Sequence, residues 1–240
     1  MRRLCRTLAS VGLGLAAASW VPRLGAQANV GYPAVDRPVS RIVAPSWRGE
    51  DDRDDAGEFA AVAKTLDIRR GQAVADIGAG SGYYVARLSP LVGPSGVVYA
   101  EDIIPRYLEQ LRRRVADEGY ANVRVIEGTP DNPLLPDGKV DIALMIHMYH
   151  EIEAPYPLLA RLASAMKASG RLAILDIDGP TNAHGTPLPL LKCELGVMGW
   201  TFDRSVTTGP AEYLAIFRPP AVAPTPAAVR ASLAVRPCRP

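Results

Sequence analysis

The stretch Val74-Ala-Asp-Ile-Gly-Ala-Gly-Ser-Gly-Tyr-Tyr84 decides how the rest of the chain is read. A short apolar run contains an acid, Asp76; Gly78, Gly80 and Gly82 alternate; a helical pattern then covers residues 84–91. That order predicts a buried strand, a tight turn and a helix start. Glycine lets the backbone adopt positive φ and approach a ligand closely. The first turn of a helix adds unpaired N–H groups and the positive end of its dipole. A pyrophosphate-binding turn is spaced G-x-G-x-x-G, whereas this one is G-x-G-x-G with an acid two residues ahead of it. Asp76 suits a cation better than a pyrophosphate, so a nicotinamide-dependent oxidoreductase is disfavoured.

Working outward, strand and helix patterns alternate. Upstream, Phe59, Val62, Ala63 and Leu66 recur at helical spacing. The acidic run 50–55 ahead of them reads as the solvated start of that helix rather than a metal site. Residues 29–47, rich in Pro and Gly, read as an extended lead-in. Downstream, residues 97–100 form a second strand that ends in Glu101-Asp102. Pro105 opens a helix with Leu108, Leu111 and Val115 on one stripe, and Gly119 closes it. Arg112, Arg113 and Arg114 wrap around that helix and read as solvated. A third strand covers 123–126. Val140 to Ile146 is apolar except for Asp141, as expected of a strand covered on both faces. A helix is predicted over 155–168, a fifth strand over 171–177 and a closing strand over 213–217. Such alternation predicts a doubly wound α/β sheet.

The glycine stretch resembles the first motif of class I S-adenosylmethionine-dependent methyltransferases. Glu101-Asp102, and Pro136-Asp-Gly leading through Asp141 into the fourth strand, resemble further motifs of that family. The resemblance spans roughly residues 59–217. It implies a Rossmann-like fold with a mostly parallel seven-stranded sheet whose last strand is antiparallel, and S-adenosyl-L-methionine as cofactor. It places Asp76, Gly78, Gly80 and Gly82 around that cofactor. Asp102, with Glu101 as fallback, would accept hydrogen bonds from the ribose hydroxyls; Ile103 and His147 complete the contacts. Where the family usually has an acid for the adenine amino group this chain has Thr129, so Asp131, and next Asn132, take that role.

The reaction such a site runs is an in-line displacement at a sulfonium. The protein aligns the reactants and, where needed, removes a proton from the acceptor. His150 and Tyr149, just past the fourth strand, are the acceptor-side candidates, with His184 approaching from the loop after the fifth strand; a hydrogen-bonded structural role is the competing reading for each histidine. His147, His150 and Glu151 fit no metal-ligand spacing, so no metal is expected. No motif names the acceptor, and a small molecule is the expectation. The rival function is an exported binding protein that keeps the fold without turnover.

Length and charge set the remaining bounds. A chain of 240 residues with 48% hydrophobic composition can bury a sizeable core. Residues 1–28 carry a basic start, an apolar run and Ala26-Gln-Ala28, a small-x-small cleavage pattern. They read as a signal peptide directing export to the periplasm, or, if retained, as a membrane anchor. Four of the 27 basic residues are Arg2, Arg3, Arg6 and Arg23 of that leader, leaving 23 against 25 acids. Nothing there suggests nucleic acid. Domain boundaries follow: leader 1–28, lead-in 29–55, methyltransferase-like domain 56–218, and a disordered Pro/Ala-rich tail 219–240. Cys193 reads as a buried small residue; with Cys238 in that tail, no disulfide between the two is expected.

Overall fold

The computed structural model describes residues 31–43 and 49–240. The leader reading falls on residues 1–28, outside the described residues. Seven strands form one sheet: β1 (Ala73–Ile77), β2 (Val97–Asp102), β3 (Val123–Glu127), β4 (Val140–Ile146), β5 (Met166–Ile177), β6 (Thr201–Gly209) and β7 (Glu212–Arg218). Their order is β3-β2-β1-β4-β5-β7-β6. The first five pair in parallel, and β7 runs antiparallel to both β5 and β6. This is the doubly wound Rossmann-like sheet with an antiparallel last strand.

Among the described residues seven α-helices flank it: α1 (Glu50–Asp55), α2 (Glu58–Leu66), α3 (Tyr83–Val92), α4 (Pro105–Asp117), α5 (Pro155–Ala165), α6 (Leu188–Val197) and α7 (Pro226–Val235). Successive strand residues point to opposite faces. Val74, Val98, Ile142 and Leu144 therefore pack against Val62, Leu66, Leu88 and Leu111 of α2, α3 and α4. Ala75, Ile77, Met145 and Ile174 pack against Leu159, Leu162, Leu191 and Leu195 of α5 and α6. Two-sided burial is why β1 has no exposed residue. Asp141 is the polar exception in β4: its carboxylate accepts the Ala73 N–H at 2.9 Å and pairs with Lys167 Nζ at 2.7 Å.

Five readings need correction: the end of the helix over 155–168, the start of the fifth strand, the acidic run, the disordered tail and the absence of a Cys193–Cys238 disulfide. The helix expected to 168 ends at Ala165, and β5 begins at Met166. Val140 pairs with Met166 but Ile142 with Arg171, so the intervening residues bulge out, which brings Lys167 to Asp141. The acidic run is a helix of its own, α1, rather than the end of an extended lead-in.

The tail is ordered. Thr225 caps α7 by accepting the Ala228 N–H, Pro226 sits in its first turn, and Val229 is fully buried. Cys193 of α6 and Cys238 form a disulfide with Cα atoms 5.5 Å apart. One buried side chain is too few to write a helical period, so the sequence pattern left α7 silent.

Because the chain crosses from β1 to β2 on one side and returns to β4 on the other, the sheet has its switch point between β1 and β4. Open α/β sheets bind ligands in that crevice, beyond the carboxyl ends of the strands.

Candidate functional site

A cavity of about 560 Å³ opens at that switch point, a size typical of small-molecule sites. Its floor is the glycine turn. Gly78, Gly80 and Gly82 all have positive φ. Gly80 donates its N–H to Asp102 Oδ2 at 2.8 Å, and Ile104 donates to Oδ1 at 2.8 Å. Gly82 does not border the cavity; it sits at the N-cap of α3, where a Cβ would lie 2.6 Å from Leu111 Cδ1. The third glycine of the motif therefore serves the packing of α3 against α4.

Asp76, Glu101 and Asp102, at the carboxyl ends of β1 and β2, all line the cavity and all are buried. Among the described residues none of the three forms an ion pair. Burial pushes the Asp76 carboxyl up to about 7, with repulsion from Asp102 adding to it and Arg53 opposing it. Burial, and then the Asp102 charge, raise Glu101 to about 8. Asp102 is raised by burial too, against the N–H groups of Ile104 and Gly80. Asp102 still has acceptor capacity beyond those two bonds.

The opposite wall comes from α1, α2 and α3. Arg53 pairs with Glu58 and lies 3.8 Å from the Tyr83 ring centroid, while the Tyr84 hydroxyl donates to Glu58 Oε1 at 3.1 Å. His147, held at φ 53°, borders the cavity and has Nε2 3.6 Å from Glu58 Oε2. Burial alone would raise Glu58; hydrogen bonds from His147 and Arg53 outweigh it and bring the carboxyl to about 2. Ile103, Thr129 and Pro130 line the far end. Asp131 and Asn132 do not: Thr129 Oγ1 donates to Asp131 Oδ1 at 2.7 Å within a tight turn.

The two acceptor-side candidates are not brought to the cavity. Tyr149 is fully buried and donates its hydroxyl to Glu194 Oε2 at 2.8 Å, and Glu194 in turn pairs with Arg37 at 2.9 Å. His150 places Nδ1 2.9 Å from Asp176 Oδ1. The 3-10 turn Tyr149–Glu151 sends Met148 and Glu151 to the cavity instead. Sequence reasoning also missed Arg53, Tyr83 and Tyr84. The tyrosines stood in the decisive stretch itself, read only as a helix start; Arg53 stood inside an acidic run.

Residues 74–170 match the family model described as a methyltransferase domain. The chain is 32% identical over 117 residues to the ubiquinone/menaquinone biosynthesis C-methyltransferase UbiE of Azotobacter vinelandii, covering 48% of this chain and 46% of that protein. It is 35% identical over 120 residues to a protein-L-isoaspartate O-methyltransferase of Methanocella arvoryzae, covering 48% of this chain and 58% of that one. A crystal structure of an S-adenosylmethionine-dependent methyltransferase from Aquifex aeolicus superposes with a TM-score of 0.64 at 27% identity, over 69% of this chain and 91% of that one. The chain spans about half the length of the curated relatives it matches. The sheet order, the switch-point cavity and these likenesses together mark residues 74–170 as a methyltransferase domain similar in fold to the class I S-adenosylmethionine-dependent methyltransferases.

Proposed function

We propose that this chain transfers the methyl group of S-adenosyl-L-methionine to a small-molecule acceptor. One observation carries the reading: three buried carboxylates, Asp76, Glu101 and Asp102, share a cavity in which none has an ion-pair partner. Buried acids in that condition suit a ligand bearing positive charge and several hydroxyl donors. Asp102, backed by Glu101, accepts the ribose hydroxyls; Asp76 faces the cationic portion; Gly80 allows close backbone approach; Thr129 and Pro130 border the adenine end. When bound, the cofactor supplies a methyl group on a sulfonium leaving group. The chain's own residues orient the reactants and exclude water, with Arg53, Tyr83 and Tyr84 closing the wall. Val39, Ile42, Met148 and Leu158 give the rest of the cavity an apolar lining, which supports a small, partly apolar acceptor.

A second reading, a binding protein without turnover, draws support from the engagement of Tyr149 with Glu194 and of His150 with Asp176. Isothermal titration with S-adenosylmethionine and S-adenosylhomocysteine, followed by an acceptor screen, separates the two. Micromolar binding with methyl transfer supports the enzyme, binding without transfer supports the second reading, and no binding by a folded chain overturns both. Export of the chain is part of the proposal. The Cys193–Cys238 disulfide supports it, since such bonds persist in oxidising compartments. Among the described residues no helix is long and apolar enough to cross a membrane; the retained leader is the alternative to export. Cell fractionation with mass measurement of the N-terminus tests both points.

A further inference from the structure

Beside the cavity, three side chains that the methyl-transfer reading does not use converge. One donor atom each from His150, Glu151 and His184 lie within 4.8 Å of one another, the only such group of three among the described residues. Each is held from behind. The buried His150 ring keeps Nδ1 on Asp176 Oδ1 at 2.9 Å. Asp176 is itself fixed by the Thr186 hydroxyl at 2.7 Å and the Ile177 N–H at 2.9 Å. A carboxylate on one ring nitrogen leaves the lone pair on the other, the arrangement that orients histidine ligands in metal sites. His184 is set at φ 56°, donates its backbone N–H to Ser40 Oγ at 3.2 Å and packs edge-on to the His150 ring. Its Nδ1 is buried and makes no hydrogen bond. Ser40 also donates its N–H to the His150 carbonyl at 3.0 Å, so one residue of the lead-in ties both histidine segments together. Glu151 Oε1 accepts the Val43 N–H at 3.0 Å and lies 4.0 Å from His184 Nδ1.

We infer that His150, Glu151 and His184 form a binding site for a divalent transition metal of the zinc type. Two imidazoles and one carboxylate are the protein ligands of zinc sites that keep a coordination position open. Imidazole nitrogen selects against magnesium and calcium, which take oxygen ligands. Glu151 also lines the cavity, so the metal would sit at its acceptor-side edge, where an acceptor bearing an oxygen donor could occupy the open position. That last consequence rests on the methyl-transfer reading; the metal site rests on its own donors.

The test uses the full, tag-free chain with Cys5→Ser, so that no free thiol competes, after removal of metal by a chelator. Zinc is titrated in competition with a chromophoric chelator, without S-adenosylmethionine, so failure of this site and failure of the cofactor reading are read separately. The expected result is one equivalent bound, with affinity at least tenfold weaker in His184→Ala and in Glu151→Gln, and unchanged in His147→Ala, which alters the one other histidine of the chain. Excess magnesium should leave the titration unmoved. Cobalt(II) should give visible ligand-field bands that His184→Ala abolishes. Glu151→Gln is nearly isosteric and His184→Ala trims a half-exposed loop side chain, so matching melting curves are expected; if one variant unfolds, the other decides. Absence of one-equivalent binding, or binding undiminished in the folded variants, overturns the site.

Discussion

Two sets of buried acids lie at the same edge of the sheet and are treated in opposite ways. Asp76, Glu101 and Asp102, at the ends of β1 and β2, are buried without an ion-pair partner among the described residues. Asp176 at the end of β5 and Glu194 on α6 are buried at least as deeply, yet Asp176 has His150 and Thr186, and Glu194 has Arg37 and Tyr149. Desolvation acts on both groups. In the first set burial raises the carboxyls of Asp76 and Glu101 to about 7 and about 8. The difference teaches how to tell a binding site from a structural network when both are acidic: the network is complete within the chain, and the site is completed by something else.

The sharpest way to break this contrast is to damage the complete side. Arg37→Ala leaves Glu194 buried without its cation, and such losses cost about 3–5 kcal/mol. Denaturant melts should show that drop, while S-adenosylmethionine affinity of the folded fraction stays unchanged. Next in size is Cys238→Ser. The bond spans 45 residues, and the chain-entropy account gives about 2–4 kcal/mol for its loss. A lower melting temperature, reproduced by reductant in the wild type, checks it; a wild type indifferent to reductant would speak against the bond.

On the incomplete side the pattern should invert. Asp102→Ala should weaken S-adenosylmethionine binding at least tenfold, about 1.4 kcal/mol or more, with a smaller loss of stability than Arg37→Ala, because it frees the Gly80 and Ile104 N–H groups but breaks no ion pair. Wild-type affinity in calorimetry would sink the ribose assignment. The last test is a pH slope. Asp76 and Glu101 hold protons in the folded chain up to about 7 and about 8, well above their ordinary 3.8 and 4.5. Between the ordinary and the raised values the folded state binds more protons than the unfolded, so their contribution to stability falls as pH rises through that window. A bound cation favours the ionised forms, so the thermal shift given by S-adenosylmethionine should grow from about pH 6 to about pH 9. A flat shift would remove both acids from the cofactor's surroundings.

Much of the fold was legible because burial on both faces writes itself into sequence. β1 and β4 coincide with their apolar runs, and the glycine turn between β1 and α3 has the positive φ that its residues announce. Legibility failed where the deciding contacts were sparse or distant. α7 buries one side chain, and its disulfide partner stands 45 residues away. The residues 166–168 continue a helical stripe from Leu162, but pairing with β4 claims Met166 for the sheet. Past β4 a single 3-10 turn decides that His147, Met148 and Glu151 reach the cavity while Tyr149 and His150 do not. Five residues are too few to carry a period. Likewise, nothing in sequence spacing joins His184 to His150 and Glu151; the Ser40 strap does.

The order of the last two strands has a consequence for how the chain is made. β7 lies between β5 and β6, and β6 pairs with no strand but β7. As a ribosome releases the chain from its N-terminus, β6 emerges before its only neighbour and must wait unpaired. The sheet cannot be finished until residue 218 is free. Completion of this sheet therefore waits on the synthesis of β7, the last strand in sequence and the next-to-last in space.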